Sequence, residues 1–230
     1  MEYVLEDRAF SPPASRGQER PQSLVGHYLT NVAVGSLWVL FTSVNIRLVL
    51  QAPEFNLQAW VYFALLLRNS SLTILFLIRR PAKASSCQVK EWFVAVLGTV
   101  APLFFTQGNA YPAIPSYFHC VVYLVMAMAG TLSLFAVLSL GRSFGIVPAN
   151  RGIKTKGLYA LVRHPIYACY LFFDMSFVVI NFSWHNLSIL AVSCLALYLR
   201  ALYEERFLQR DASYRRYTQE TRYMFFPGIV

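Results

Sequence analysis

The sequence predicts an all-α fold: a polytopic membrane helix bundle of about six apolar segments, the last two forming a tight hairpin. Three observations carry this expectation. Apolar residues make up 57% of the 230-residue chain and charged residues only 13%, against about 25% charged in an ordinary soluble domain. The apolar residues gather in long runs near 29–50, 58–78, 91–107, 114–140, 165–183 and 187–203, and about 20 such residues cross a bilayer as a helix. Apart from Arg47 and Arg68, which lie within runs, lysine and arginine fall in the tails and alternate connections, which is the third observation.

Residues 1–28 are polar and rich in Pro, Arg, Ser and Glu, with no apolar stretch ahead of a cleavage site. They read as a flexible tail rather than a signal peptide. The tail holds Arg8, Arg16 and Arg20. The second-to-third connection holds Arg79, Arg80, Lys83 and Lys90, and the fourth-to-fifth holds Arg142, Arg151, Lys154, Lys156 and Arg163. Six arginines follow from Arg200 onward. The connections at 51–57, 108–113 and 184–186 hold no lysine or arginine. This asymmetry predicts six crossings with both termini cytoplasmic, as in a bacterial inner membrane or the endoplasmic reticulum. It also accounts for the net charge of +9 without a nucleic-acid partner. The chain thus divides into a tail (1–28), a four-span bundle (29–140) and a polar-to-apolar carboxyl-terminal region (141–230).

Cys87, Cys120, Cys169 and Cys194 form no Cys-x-x-Cys pair, and His27, His119, His164 and His185 are scattered. Small packing residues are expected, with neither a disulfide framework nor a metal site. Rossmann, P-loop, nucleophile-elbow and His-Glu-x-x-His motifs are absent, so a nucleotide-like cofactor would need a helical setting.

Chemistry concentrates in the long connection before the fifth run. Gly152 and Gly157 permit tight turns. Pro165 suits the first turn of a helix and biases His164 to an extended backbone, which exposes the backbone donors of residues 166–168 to an anion. At the end of the sixth run, Arg200 and Glu204 share a helical face. Asp174 lies mid-run beside Tyr167, Tyr170 and Leu171, and a carboxylate there needs a partner, for which Arg200 is the candidate. Arg68, Asn69, Ser70 and Ser71 make the second run polar at its centre, as interhelical hydrogen bonding or as part of a cavity. The basic, aromatic segment 206–230 reads either as an interfacial element on anionic headgroups or as a lid over a site.

The order Leu140-Gly141-Arg142-Ser143-Phe144, Lys156-Gly157-Leu158-Tyr159, Val162-Arg163-His164-Pro165-Ile166-Tyr167, Glu204-Glu205 and Tyr214 to Tyr217 resembles the isoprenylcysteine carboxyl methyltransferase and phospholipid methyltransferase superfamily. The resemblance covers about residues 138–228. It implies a cytoplasmic-face pocket for S-adenosylmethionine, the methyl donor. By position, donor binding falls on Arg151, Gly152, Ile153 and Lys154, on Tyr159, on His164, Pro165, Ile166 and Tyr167, and on Glu204. Arg200 falls near the acceptor, so Arg200 and Glu204 are the implied catalytic pair. The implied partners are a lipidic or small apolar acceptor and membrane lipid.

Three positions depart from the family pattern. Cys169 replaces a glycine, Arg151 a histidine and Phe144 a common tryptophan. The last two point away from an isoprenylcysteine acceptor more than from methyl transfer. A carboxylate acceptor needs no general base, whereas an amine must lose a proton, for which Glu204, Glu205 and His164 are candidates. The alternatives are a sterol-reductase-like oxidoreductase using NADPH, for which the chain is short, and a non-catalytic membrane protein of the same fold.

The six-crossing expectation has a direct check. In a cysteine-free background, Gln51→Cys, Ala110→Cys and His185→Cys should react with an impermeant maleimide added outside. Ser85→Cys, Thr155→Cys and Ser213→Cys should not, and outside labelling at position 155 would rule the topology out.

Overall fold

The computed structural model describes residues 19–20, 24–51, 56–82, 84–86, 88–107 and 115–228. Each apolar run becomes a helix: α1 (Leu24–Leu50), α2 (Leu57–Ile78), α3 (Val89–Val100), α4 (Ser116–Leu140), α5 (Pro165–Ile180) and α6 (Trp184–Leu208). A short polar helix, α7 (Ala212–Glu220), follows. Local chemistry sets several starts. Asn56 caps α2 by accepting the Ala59 N–H at 3.0 Å, and Ser183 caps α6 by accepting the Asn186 N–H at 3.0 Å. Pro165 occupies the first turn of α5, where its missing N–H costs nothing.

The expectation of six full crossings is met only in part. Among the described residues, three helical stretches are long and apolar enough to span: Leu57–Ile78, Tyr117–Ser143 and Trp184–Leu208. Two others, Trp38–Leu50 within α1 and Pro165–Ile180, are shorter. The third run stops as an α-helix at Val100 and continues as a 3₁₀ turn, Ala101–Phe104, because Pro102 cannot donate to the α-helical ladder. Helix α1 begins at Leu24, inside the segment expected to be tail; of that tail, residues 1–18 and 21–23 lie outside the described residues. Of the final hairpin, α6 has spanning length and α5, with 16 residues, does not.

Packing runs α1 on α2, α2 on α4, α4 on α5, α5 on α6, and α6 back on α3. The α3–α6 approach is close, because a Cβ on Gly98 would lie 3.4 Å from the Ala196 Cβ; small residues at such a crossing let helices pack without large side chains between them. One buried cluster, with Trp38, Leu72, Phe76, Val137, Ile166 and Leu197 among its members, joins α1, α2, α4, α5 and α6. Outward positions such as Leu40, Ile74, Phe135 and Leu195 are apolar and exposed, as suits a surface against lipid.

Three basic connections meet at one end of this bundle. Strands β1 (Glu19–Arg20), β2 (Ala84–Ser86) and β3 (Ala149–Asn150) form an antiparallel sheet in the order β1-β2-β3. The amino-terminal segment and the α2–α3 and α4–α5 connections are thereby hydrogen-bonded to each other.

The opposite end is held by Asn186, which is 1% exposed. Its Oδ1 accepts the Thr106 N–H at 3.0 Å, and its Nδ2 donates to the Thr106 and Asn181 carbonyls at 2.9 and 2.6 Å. Asn186→Ala leaves these groups without their partner, so it should cost about 2–3 kcal/mol. Equilibrium unfolding in mixed micelles measures it, and an unchanged midpoint would contradict this reading.

Candidate active site

The α4–α5 connection is built rather than loose. It leaves α4 through a 3₁₀ turn (Gly141–Ser143), passes β3 and enters a second 3₁₀ turn (Gly157–Ala160). Gly152 and Gly157 take φ of +104° and +67°, the left-handed region that glycine enters freely. At Gly157 a Cβ would also meet Ser139 Oγ at 3.3 Å.

This connection and the polar end of α6 line a half-open cavity, whose space together with the solvent at its mouth is about 760 Å³. Nine of the residues implied for the donor and catalysis line it: Arg151, Gly152, Ile153, Lys154, Tyr159, His164, Ile166, Tyr167 and Glu204. Pro165 and Arg200 do not. Pro165 shapes the start of α5 from outside the cavity wall.

The cavity is charged at one side and aromatic at another. Arg151 is buried, its Nε donating to the Arg80 carbonyl at 3.1 Å while its own carbonyl accepts from Ser143 Oγ at 3.1 Å. Burial lowers its pKa to about 10, with Glu204 pulling the other way, so the guanidinium stays charged at neutral pH. Arg79 is likewise lowered to about 10, by burial and by the charge of Arg151. Two buried cations in this relation favour an anion nearby. Burial pushes the Tyr159 phenol well above its usual value, with Glu204 adding to the effect, so it remains a neutral donor. Tyr217, donating to the Tyr159 carbonyl at 2.6 Å, holds that residue in place.

The two adjacent glutamates divide their work. Glu204 Oε2 accepts from Tyr167 OH at 2.8 Å and faces the cavity. Glu205 Oε1 accepts from Tyr214 OH at 2.7 Å and lies 2.9 Å from both His164 Nε2 and Arg163 Nε. The His164 ring stacks on Tyr167, with centroids 5.3 Å apart and planes 5° apart.

Arg200 is placed differently from expectation. Its Nη1 and Nη2 donate to Thr99 Oγ1 at 3.4 Å and to the Gly145 carbonyl at 3.2 Å, and its guanidinium lies 5.0 Å from the Tyr167 ring centre. It does not pair with Asp174, whose Oδ2 accepts from Ser193 Oγ at 2.9 Å. The antiparallel register explains this: with Tyr167 beside Arg200, seven residues along α5, about 10 Å, bring Asp174 beside Ser193. Arg68 donates to Asn69 Oδ1 and lies 5.1 Å over the Tyr170 ring, an interhelical contact away from the cavity. Ala168 N–H is taken by the His164 carbonyl at 3.1 Å. The first-turn donors are therefore those of residues 166 and 167, one fewer than expected, since a fourth-position N–H reaches the cap carbonyl.

The carboxyl-terminal segment folds back over the connection. The Arg163 and His164 N–H groups donate to the Tyr223 and Met224 carbonyls, each at 2.9 Å, and Arg163 Nη1 donates to the Arg222 carbonyl at 3.2 Å. Met224 and Phe225 pack against the main core. Asp211 caps α7 through Ser213 N–H at 2.8 Å and accepts from Asn150 Nδ2 at 2.6 Å. Burial alone would raise its pKa, but the hydrogen bonds from Ser213 and Asn150 hold it below the usual carboxylate range. Tyr214 and Tyr217 also line the cavity. Their spacing of three on a helix was the available signal, and only the fold shows which way that face turns.

Fold and site together define a class: an integral-membrane, mostly helical protein with a polar cavity at the basic end of its bundle. Residues 115–215 match the phospholipid methyltransferase family, which is part of the integral-membrane methyltransferase superfamily that the motifs resemble. No curated protein matches the chain.

Glu205 joins three segments, which gives a stability test. Glu205→Ala should destabilise the protein by about 2–3 kcal/mol, since hydrogen bonds to charged groups are the strong ones, and Tyr214→Phe by about 1 kcal/mol. Thermal unfolding of both variants measures this; equal, unshifted midpoints would contradict the hub.

Proposed function

We propose that the protein transfers a methyl group from S-adenosylmethionine to a phospholipid amine at the membrane boundary. The observation that carries this is the convergence of the connection 151–167 and Glu204 on one cavity, in a segment with a phospholipid methyltransferase match. When bound, S-adenosylmethionine supplies a sulfonium-activated methyl group that a nucleophile takes by in-line displacement.

The donor set suits such a ligand. Arg151, with Lys154 at the rim, offers a carboxylate partner. Glu204 offers the opposite charge to an ammonium or sulfonium, and Tyr167 OH fixes the orientation of its carboxylate. Leu140, Phe144 and Leu208 supply apolar wall for a planar base.

Within this reading the chain does three things. It holds Arg163 and His164 in place, through the folded-back segment whose Tyr223 and Met224 carbonyls accept their N–H groups. It orients the reactants. Glu204 accepts the proton that an ammonium acceptor must lose before its nitrogen can attack. Arg200 acts through Tyr167, as a positioning residue. Its two terminal nitrogens are engaged within the protein, which favours an amine acceptor over a carboxylate that would need both.

Calorimetry on the purified full chain tests the donor. S-adenosylmethionine should bind and NADPH should not, and Arg151→Ala and Glu204→Ala should each weaken binding about tenfold to a hundredfold. Retained affinity in both folded variants, or preference for NADPH, would overturn the proposal. Arg200→Lys should keep donor affinity and lower turnover, because an ammonium cannot reproduce a planar guanidinium stacked on a ring.

A further inference from the structure

A second, half-open cavity lies beside the first on an adjacent face of α6, and its space together with the solvent at its mouth is about 470 Å³. Its wall combines the start of α3 with the end of α6: Lys90, Glu91, Tyr203, Arg206, Phe207 and Arg210. The Lys90 ammonium stands 5.9 Å from the Tyr203 ring centre and the Arg210 guanidinium 5.7 Å from that of Phe207. The Lys90 and Arg206 side chains make no ion pair or hydrogen bond with the described residues. Lys90 and Arg206 against the one carboxylate, Glu91, leave the wall with an excess of one positive charge.

Glu91 adds a second requirement. It is only 8% exposed, and its Oε2 has no hydrogen-bond partner among the described residues. A buried carboxylate oxygen in that condition calls for a donor. The depth of the site is marked by Trp92, 41% exposed, whose Nε1 donates to the Ser86 carbonyl at 3.1 Å. A half-exposed tryptophan anchored in this way is typical of headgroup level.

We infer that this cavity binds the headgroup of an anionic phosphodiester lipid whose far end carries hydroxyls, of the glycerol or inositol kind. The phosphate is held by Lys90 and Arg206, as in other basic pockets at a membrane face. A headgroup hydroxyl donates to the Glu91 carboxylate, which requires that side chain to turn its closed-off Oε2 toward the cavity. A zwitterionic headgroup would leave the excess charge uncompensated, and a bare phosphomonoester would leave Glu91 without a donor. The occupant would bear on the helical turns that carry Glu204 and Glu205, but its binding is independent of methyl transfer.

Native mass spectrometry of the full chain, released from detergent, tests this with chain-matched phosphatidylglycerol, phosphatidylinositol, phosphatidic acid and phosphatidylcholine. The two hydroxylated anionic lipids should be retained about tenfold better than phosphatidylcholine and better than phosphatidic acid. Lys90→Gln combined with Arg206→Gln should abolish that preference; both side chains are exposed, and an unshifted melting temperature checks the fold. Equal retention by wild type and double variant would overturn the site. Phosphatidic acid binding as tightly as phosphatidylglycerol would overturn hydroxyl recognition by Glu91. Displacement by equimolar glycerol phosphate would overturn the lipid assignment in favour of a soluble phosphate.

Discussion

The carboxylate of Glu205 is the constraint on which the polar end of the protein depends. It receives Tyr214, His164 and Arg163, drawing the start of α5, the end of α6 and helix α7 to one point. In water such a cluster would be worth little, because each group has solvent to bond. At the end of a membrane bundle, with side chains largely shielded, a shared charged acceptor is far more effective. With that end closed, His164 stacks on Tyr167 and Tyr167 reaches Glu204. The cavity exists because these contacts hold its walls in register.

The helices supply the frame for that closure. Their apolar faces suit lipid, and lipid gives no hydrophobic drive for helix to meet helix, so close packing and polar contacts must do it. The α3–α6 crossing at Gly98 and Ala196 is one such contact, and the Asn186 clamp on Thr106 is another. Both lie on α6, which also carries Glu204, Glu205 and Arg200. Fixing this helix against α3 and α5 therefore fixes the charged groups at its polar end.

Two cavities flank the same turns of α6, and they differ in kind. The first combines buried guanidinium, carboxylate and aromatic groups in a partly closed space, which suits a small polar ligand with an apolar part. The second is shallow in aromatic lining and rich in exposed cations, which suits a headgroup that enters from the membrane plane. Their shared helix makes coupling between them a matter of how firmly its end is held.

Much of this was decided by sequence pattern alone. Apolar runs set the helices, because in a bilayer a backbone must satisfy itself. Proline and glycine at 165, 152 and 157 set the turn and the helix start, because those restrictions are local. The asymmetry of lysine and arginine brought the basic connections to one end, and the three-stranded sheet is consistent with that. Of the eleven site residues implied by the resemblance, eight lie close in sequence between 151 and 167 and share one cavity, and Glu204 joins them only because α6 packs beside that stretch. Other features were decided only by tertiary structure. The partner of Asp174 depended on the hairpin register, and a shift of about 10 Å along a helix exchanged Arg200 for Ser193. Arg200 itself is engaged by Thr99 and Gly145, from segments that no local pattern joins to it. The inward face of α7 and the cavity at Lys90 and Arg206 likewise arise where elements distant in sequence pack together, and spacing within one element carries no record of its neighbour.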